Sequence, residues 1–567
     1  MPNGVAHPPF TRPGRRLDSL FPLDGWGWRG AGVGIAGLVA LPVLVVLASL
    51  FLPTGPIWSH LAQTVLGTYV ANSLFLMLGV GIGTFLMGVG AAWLVTLCRF
   101  PGARSFEWAL LLPMAMPAYV IAYAYTGLFD FAGPVQEALR ALFGWKSRRD
   151  YWFPELRSLP GAAAMLSFVL YPYVYMLARA AFLEQSVCAL EVSRTLGCTP
   201  WRSFRTVALP LARPAIVAGL ALALMEALND FGTVQYFAVD TFTTGIYRTW
   251  LGLGQSGAAA QLGAILLLFV LALLLVERVS RGQARFHHAT GRYRNLPRYP
   301  LRGGKALLAF VACLFPVAVG FLVPGAMLLA WAVETVPGTL DRRFLGLAGN
   351  TFILALLAAI LAVSVAVLLA YAKRLDRTMI TRAAARLASL GYAVPGSVIA
   401  VGVLVPFAFL DNALDAFLRR TFGLSSGLIL TGTVAAVLFA YLVRFLAVAF
   451  QAVETSLGRI TPAMEASART LGATPLRALR RIHLPMMKGS LLTAALLVFV
   501  DVTKELPATL MMRPFNFDTL AIRAFELASD ERLPDAALPS LAIVLVSIVP
   551  TILLSRAIAR ARPGDEG

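Results

Sequence analysis

With 567 residues, of which 58% are hydrophobic and 14% charged, the chain carries well under the roughly 25% charge of a soluble domain. A mean hydropathy of +0.74 excludes a water-soluble globular protein, and the length has room for about a dozen spans at roughly 20 apolar residues each. The net charge of +19 would point to nucleic acid in a soluble protein; in a polytopic membrane protein it is what basic cytoplasmic loops supply.

In chain order, residues 1–30 form a basic N-terminal segment holding Arg12, Arg15, Arg16 and Arg29. The apolar run behind it, 31–52, is too long for a signal-peptide core and no small-x-small cleavage site follows, so it reads as a retained anchor. The Arg15–Arg16 pair stands well ahead of that run and reads as a positive-inside flank, not a twin-arginine signal. Further runs of spanning length lie at 69–97, 107–128, 161–183, 214–236, 258–277, 306–332, 350–372, 384–410, 427–450, 489–511 and 537–555, making twelve.

With the N-terminus inside, the inner segments are 1–30, 98–106, 185–213, 278–305, 373–386, 453–488 and the tail from Arg556, and they hold 32 of the 48 lysines and arginines. This asymmetry puts both termini in the cytoplasm. Segment 278–305 has eight basic residues, no acid and no helical apolar period, so it reads as a cytoplasmic linker between a first half, 31–277, and a second, 306–555, with a tail at 556–567. Within the linker His287 and His288 read as solvated polar residues, not metal ligands. Cys98, Cys188, Cys198 and Cys313 form no CxxC pair and sit in or beside apolar segments, which supports neither a disulfide framework nor a zinc site.

The halves are a repeat. RTLGCTPWRSFRTVALP (194–210) and RTLGATPLRALRRIHLP (469–485) agree at ten of seventeen positions without a gap. At the same offset of 275 Glu226 falls on Asp501 and Asp230 on Glu505; at 278 Asp240-Thr241 falls on Asp518-Thr519 and Pro117 on Pro395. Each copy reads as a short polar helix, a Gly that permits positive φ, a second turn, and Leu-Pro opening the next span without needing the proline's N–H.

These loops resemble the EAA motif, EAA-x3-G-x9-I-x-LP, of permease subunits in ATP-binding-cassette importers. In the first copy Glu191, Val192, Ser193, Gly197, Val207, Leu209 and Pro210 fall on the pattern. In the second, Gly472, Ile482, Leu484 and Pro485 match, while Ala466 stands at the motif's Glu position and Glu465 lies one residue early. Segments 225–250 and 499–526 are similar to those of fused permeases of the ferric-iron group, of which fused thiamine and phosphonate permeases are relatives.

The resemblance implies an all-α polytopic protein of two homologous six-helix halves around a central pathway, in a bacterial inner membrane, with coupling loops that receive the motion of ATPase subunits. It also implies partners: two ATP-binding-cassette ATPase subunits and an extracytoplasmic solute-binding protein. No phosphate loop occurs, since Gly303-Gly304-Lys305 runs into Ala306; hydrolysis therefore belongs to another subunit, and no cofactor is expected in this chain.

Ionisable residues at membrane depth are costly and face cavities or one another. Glu226 with Asp230, and Asp501 with Glu505, are expected at i, i+4 on one helical face. They either line a cation pathway, as oxygen ligands suited to ferric iron, or pair with Lys504 and arginines to hold the halves together. Tyr119 with Tyr123, and Tyr171 with Tyr175, are expected in the interfacial belt.

The expected function is an ATP-driven importer's permease for ferric iron, with thiamine, phosphonate or another small solute as alternatives. A secondary transporter with inverted repeats fits less well because each half holds six spans and the duplicated feature is a cytoplasmic loop. A membrane enzyme has no HExxH, GxSxG or His/Asp constellation to stand on.

Overall fold

The computed structural model describes residues 22–53, 56–184, 195, 197–281 and 298–560. Arg12, Arg15, Arg16, Cys188, Glu191, His287 and His288 lie outside the described residues. The first half holds α1 (Pro22–Ala48), α2 (Leu66–Leu97), α3 (Ala103–Ala109), α4 (Ala118–Phe129), α5 (Pro134–Phe143), α6 (Leu159–Glu184), α7 (Leu209–Asn229), the short α8 (Gly232–Tyr236) and α9 (Ser256–Arg281). The second holds α10 (Gly304–Val317), α11 (Val323–Thr339), α12 (Arg342–Leu375), α13 (Met379–Ala388), α14 (Gly396–Phe422), α15 (Val434–Gly458), α16 (Pro462–Thr470), α17 (Leu484–Thr503), α18 (Pro507–Met512) and α19 (Leu533–Arg560).

Among the described residues eleven helices are long and apolar enough to cross a membrane, and a bent pair, Ala103–Ala115 with Ala118–Phe143, supplies a twelfth if counted as one span. The run 107–128 is therefore not a straight helix: it turns through 90° at Pro117. Met116 is extended there (φ −89, ψ 121), as steric conflict with the following proline ring requires. Val394 before Pro395 repeats it (φ −80, ψ 125), which shifts the expected run 384–410 to a short α13 and a long α14.

The loops after the repeated glycines, Gly197 and Gly472, also differ from expectation. The turn behind Gly197 is not a separate helix; it continues through Pro200–Asn229 as one span, as Pro475–Thr503 does in the second copy. Pro210 and Pro485 cannot donate to the carbonyl four residues back. Each helix meets this by widening to a π turn just before, at Phe204–Ala208 and Leu479–His483, where the amides of Leu209 and Leu484 donate to Phe204 and Leu479.

Two apolar cores form, and each draws on both halves. Helix α1 packs on α12, α13 and α14, whereas α10 and α11 pack against α2, α3 and α4. Tyr299–Pro300, at the end of the linker, pairs in parallel with Cys98–Arg99 behind α2, and this delivers α10 to the opposite half. On the other side, the approach of α1 to α14 is close enough that a Cβ on Gly402 would lie 2.4 Å from the Pro42 carbonyl oxygen. Arg29 of α1 donates to Asp376 at 2.8 Å, and this guanidinium holds the Asp376 carboxyl well below the usual carboxylate range.

Candidate functional site

Helix α7 ends at Asn229 and α17 at Thr503, so each expected carboxylate pair is split by a helix terminus and does not share one helical face. Asp230 is extended (φ −64, ψ 133) and accepts from the amides of Thr233 at 3.0 Å and Val234 at 3.1 Å, with the Thr233 hydroxyl at 3.0 Å. Glu505 accepts from the amides of Ala508 at 2.9 Å and Thr509 at 3.0 Å. A carboxylate that can reach unpaired amides competes with continuation of its own helix. Asp230 and Glu505 therefore cap the start of α8 and α18, which follow the breaks.

Glu226 and Asp501 remain on their helices, one turn earlier. All four acids line one cavity of about 130 Å³ between the halves, together with Tyr119, Tyr173, Asn229, Tyr392, Arg444 and Lys504. Asp501 is paired with Lys504 at 3.0 Å, and Glu505 with Arg444 at 3.2 Å. Glu226 has neither an ion pair nor a hydrogen bond among the described residues. No group of three or more His, Cys, Asp or Glu among the described residues is close enough to hold a metal ion.

Arg444 was legible and overlooked: it is the sole charged residue in the run 427–450, and a charge inside an apolar span marks a functional position by default. Tyr173, Tyr392 and Asn229 carried no such signal. Tyr173 and Tyr392, one from each half, line the cavity together, and Asn229 accepts from the Gly396 amide at 2.7 Å. The repeat shows again at the rim, where Asn72 donates to the Asp240 carbonyl at 2.8 Å and Asn350 to that of Asp518 at 3.1 Å.

The tyrosines expected in an interfacial belt are interior. Tyr119, Tyr123, Tyr171 and Tyr175 are all buried. Tyr175 donates to the Glu107 carbonyl at 3.0 Å and Tyr123 bonds Ser540, while Tyr119 lines the cavity. Helix packing, not the membrane interface, takes up their apolar rings.

At the far end of α7 and α17 the two loops match closely. Gly197 and Gly472 both have φ +77, and Thr199 and Thr474 each accept from an amide three residues on, Arg202 and Arg477, at 3.3 Å. Leu209, Pro210, Leu484 and Pro485 follow in the widened turns. Glu465 is held at 2.9 Å by both Arg374 and Arg469, and Arg374 also donates to the carbonyls of Leu457 at 2.6 Å and Ile460 at 2.9 Å. Ala466 is exposed, and so are the apolar side chains of Trp201, Met464, Leu471 and Leu476.

Residues 85–285 match the family described as "Binding-protein-dependent transport system inner membrane component". The chain is 29% identical to an Fe(3+)-transport system permease protein of Haemophilus influenzae over 495 residues, 86% of this chain and 89% of that protein. It is 25% identical to the ferric transport system permease protein of Actinobacillus pleuropneumoniae, over 78% of this chain and 64% of that one. A molybdenum transport system permease protein of Escherichia coli is 30% identical over 41% of this chain and 98% of its own length. Two six-helix repeats around a shared cavity, matching loops at one end and these likenesses agree: the chain belongs to the family of binding-protein-dependent transport system inner membrane components, the permeases of ATP-binding-cassette importers.

Proposed function

We propose that the chain carries ferric iron from an extracytoplasmic binding protein to the cytoplasm, driven by two separate ATPase subunits that dock on the loops around Gly197 and Gly472. The observation that carries the iron reading is the cavity: four carboxylates against two cations, both cations already ion-paired, in a setting that attracts a hard, highly charged cation. The fused ferric permeases that share most of the chain support it. The molybdenum and sulfate permeases among the relatives favour an oxyanion, but an anion would meet the excess of negative charge. Replacing Glu226 and Asp501 together with Gln and Asn keeps shape and removes two charges. In proteoliposomes with the ATPase and binding protein, iron uptake is expected to fall about tenfold or more, equivalent to about 1.4 kcal/mol of barrier. Unchanged uptake would refute the carboxylate pathway, and an unmodified protein that moves molybdate or thiamine but not iron would refute the substrate.

The coupling reading rests on exposed apolar side chains, Trp201, Leu471 and Leu476, beside the paired glycines at the basic end of the molecule. Glutamates in and near the loops, Glu191 and Glu465, are assigned to coupling with Leu209, Pro210, Leu484 and Pro485. This end faces the cytoplasm, as do both termini and the 278–305 linker. Single cysteines at Arg148, Ala413 and Ser529 are expected to react with an impermeant maleimide in spheroplasts, and one at Gly303 only after lysis. Labelling of Gly303→Cys in sealed spheroplasts would reverse the orientation.

A further inference from the structure

The two halves meet the cavity with the same backbone and different charge. Glu226 and Asp501 are equivalent positions in the repeat, as are Asp230 and Glu505, but the residue between them is Asn229 in the first half and Lys504 in the second. Asn229 is spent on the Gly396 amide at 2.7 Å and is buried. Lys504 instead extends its ammonium to Asp501, 3.0 Å away, with both side chains about a quarter exposed (23% and 24%). The other cation, Arg444, is fixed deeper against Glu505, whose side chain is 1% exposed.

Removing the acids with structural work isolates the two that lack it. Asp230 and Glu505 cap helices, while Glu226 is unpaired and Asp501 is held only by a flexible lysine. Glu226 and Asp501 line the same cavity as Tyr173 and Tyr392. A separate sign of unmet polar capacity lines the same cavity: Tyr119, 5% exposed, has a hydroxyl with no hydrogen-bond partner among the described residues. The Nε of Arg444, a residue 7% exposed, is likewise unpartnered. Buried polar groups are normally satisfied, so a cavity with an unpaired carboxylate and orphan donors suits a passing polar occupant.

We infer that Glu226 and Asp501, in the cavity they share with Tyr173 and Tyr392, form a transient site for a hard trivalent cation, and that Lys504 is its tethered counter-ion, which neutralises the site when it is empty. The inference rests on the cation-importer reading. An incoming cation displaces the ammonium from Asp501; when the cation leaves, the lysine returns and prevents its rebinding. Because the lysine is on a flexible stem and Asn229 is not, only the second half can release its carboxylate.

The site can be read without transport. Terbium(III) is a hard, oxygen-seeking trivalent ion whose emission is sensitised by nearby tyrosines, so tyrosine-excited emission is titrated on the detergent-solubilised full chain. Lys504→Met keeps the unbranched stem and removes the charge; it is expected to tighten the sensitised site about tenfold or more, since it removes the cation that competes for Asp501 at contact distance. Adding Glu226→Gln to Lys504→Met is expected to abolish the gain, and Lys504→Arg to leave parental affinity. In proteoliposomes Lys504→Met is expected to slow iron release into the lumen. Equal terbium affinity in the parent and Lys504→Met, or a gain that survives Glu226→Gln, overturns the counter-ion role even if the protein transports iron. A terbium site behaving as expected in a protein that transports only an anion instead overturns the iron reading and leaves the site standing.

Discussion

Arg444→Met is expected to be the most damaging single change in the membrane interior. The substitution keeps an unbranched apolar stem and leaves Glu505, with a side chain 1% exposed, as a buried charge without its counter-ion. Breaking one partner out of a buried pair costs about 3–5 kcal/mol, and at 1% exposure the Glu505 side chain has little access to water to relieve it. The protein is expected to aggregate on detergent extraction or to lose much of its thermal midpoint. Adding Glu505→Gln should restore part of the loss, because it removes the unpaired charge and its one carbonyl oxygen still accepts from the Thr509 amide, while the Ala508 amide loses its acceptor. A single variant that melts with the parent, or a double variant no better than the single, would show that the pair is not what holds α15 to the break before α18.

The second large effect is expected at the loop glycines. Neither Gly197 nor Gly472 has any atom within 4 Å of where a Cβ would stand, so substitution there tests backbone conformation without steric collision. At φ +77 a non-glycine residue pays about 1–2 kcal/mol, and a β-branched one more. Valine at either position should therefore swing the loop away from its docking geometry while the protein still inserts, and uptake should fall sharply. Asparagine, which tolerates the left-handed region, should recover much of it. Gly197→Val is expected to do more harm than Gly472→Val, since the second loop keeps a separate anchor in the Glu465 pairs with Arg374 and Arg469. Near-normal uptake in both valine variants would remove the loops from the coupling mechanism; an asparagine variant as impaired as valine would show that side-chain volume, not φ, is at fault.

The likeness of the two loops was readable because it is local. A positive-φ glycine, a threonine cap and a Leu-Pro step are set by residues within a few positions of one another, and the same string gave φ +77 twice. The π turns were not readable as such, although their cause was: the missing N–H of Pro210 and Pro485 announces a lost hydrogen bond but not how the chain absorbs it. The same limit explains the third span, where Pro117 signalled a boundary but hydropathy averaged across it.

The carboxylates show where periodicity misleads. Spacing of i, i+4 places Glu226 and Asp230 on one face only if the helix continues, and it stops at Asn229 because Asp230 finds the amides of Thr233 and Val234. The sequence did place all four acids and Lys504 in the same neighbourhood, since the repeat aligns them, and the cavity contains every one. It could not rank them. Which acid caps a helix, which is paired and which stands free depends on partners as remote as Arg444 and the Gly396 amide. The tyrosines fail for a related reason: an i, i+4 pair of amphipathic rings fits an interfacial belt and a packed interior equally well, and only neighbouring helices decide.

By itself the sequence determined the membrane class, the all-α fold, the two-half repeat, the likeness of the two loops and the list of acids that line the cavity. Each follows from composition, hydrophobic run length or short-range pattern, where one residue's role is set by its chain neighbours and by the bilayer's demand that backbone groups be satisfied within helices. Only the tertiary structure decided that α1 crosses to pack on α12, α13 and α14 while α10 and α11 cross the other way, and that Lys504 pairs with Asp501 while Asn229 bonds the Gly396 amide. Apolar helices are alike to lipid and to one another, so hydropathy sets no preference among partners. That choice is made by long-range contacts such as Arg29 with Asp376, Gly402 against Pro42 and Tyr299–Pro300 beside Cys98–Arg99, which no local pattern encodes.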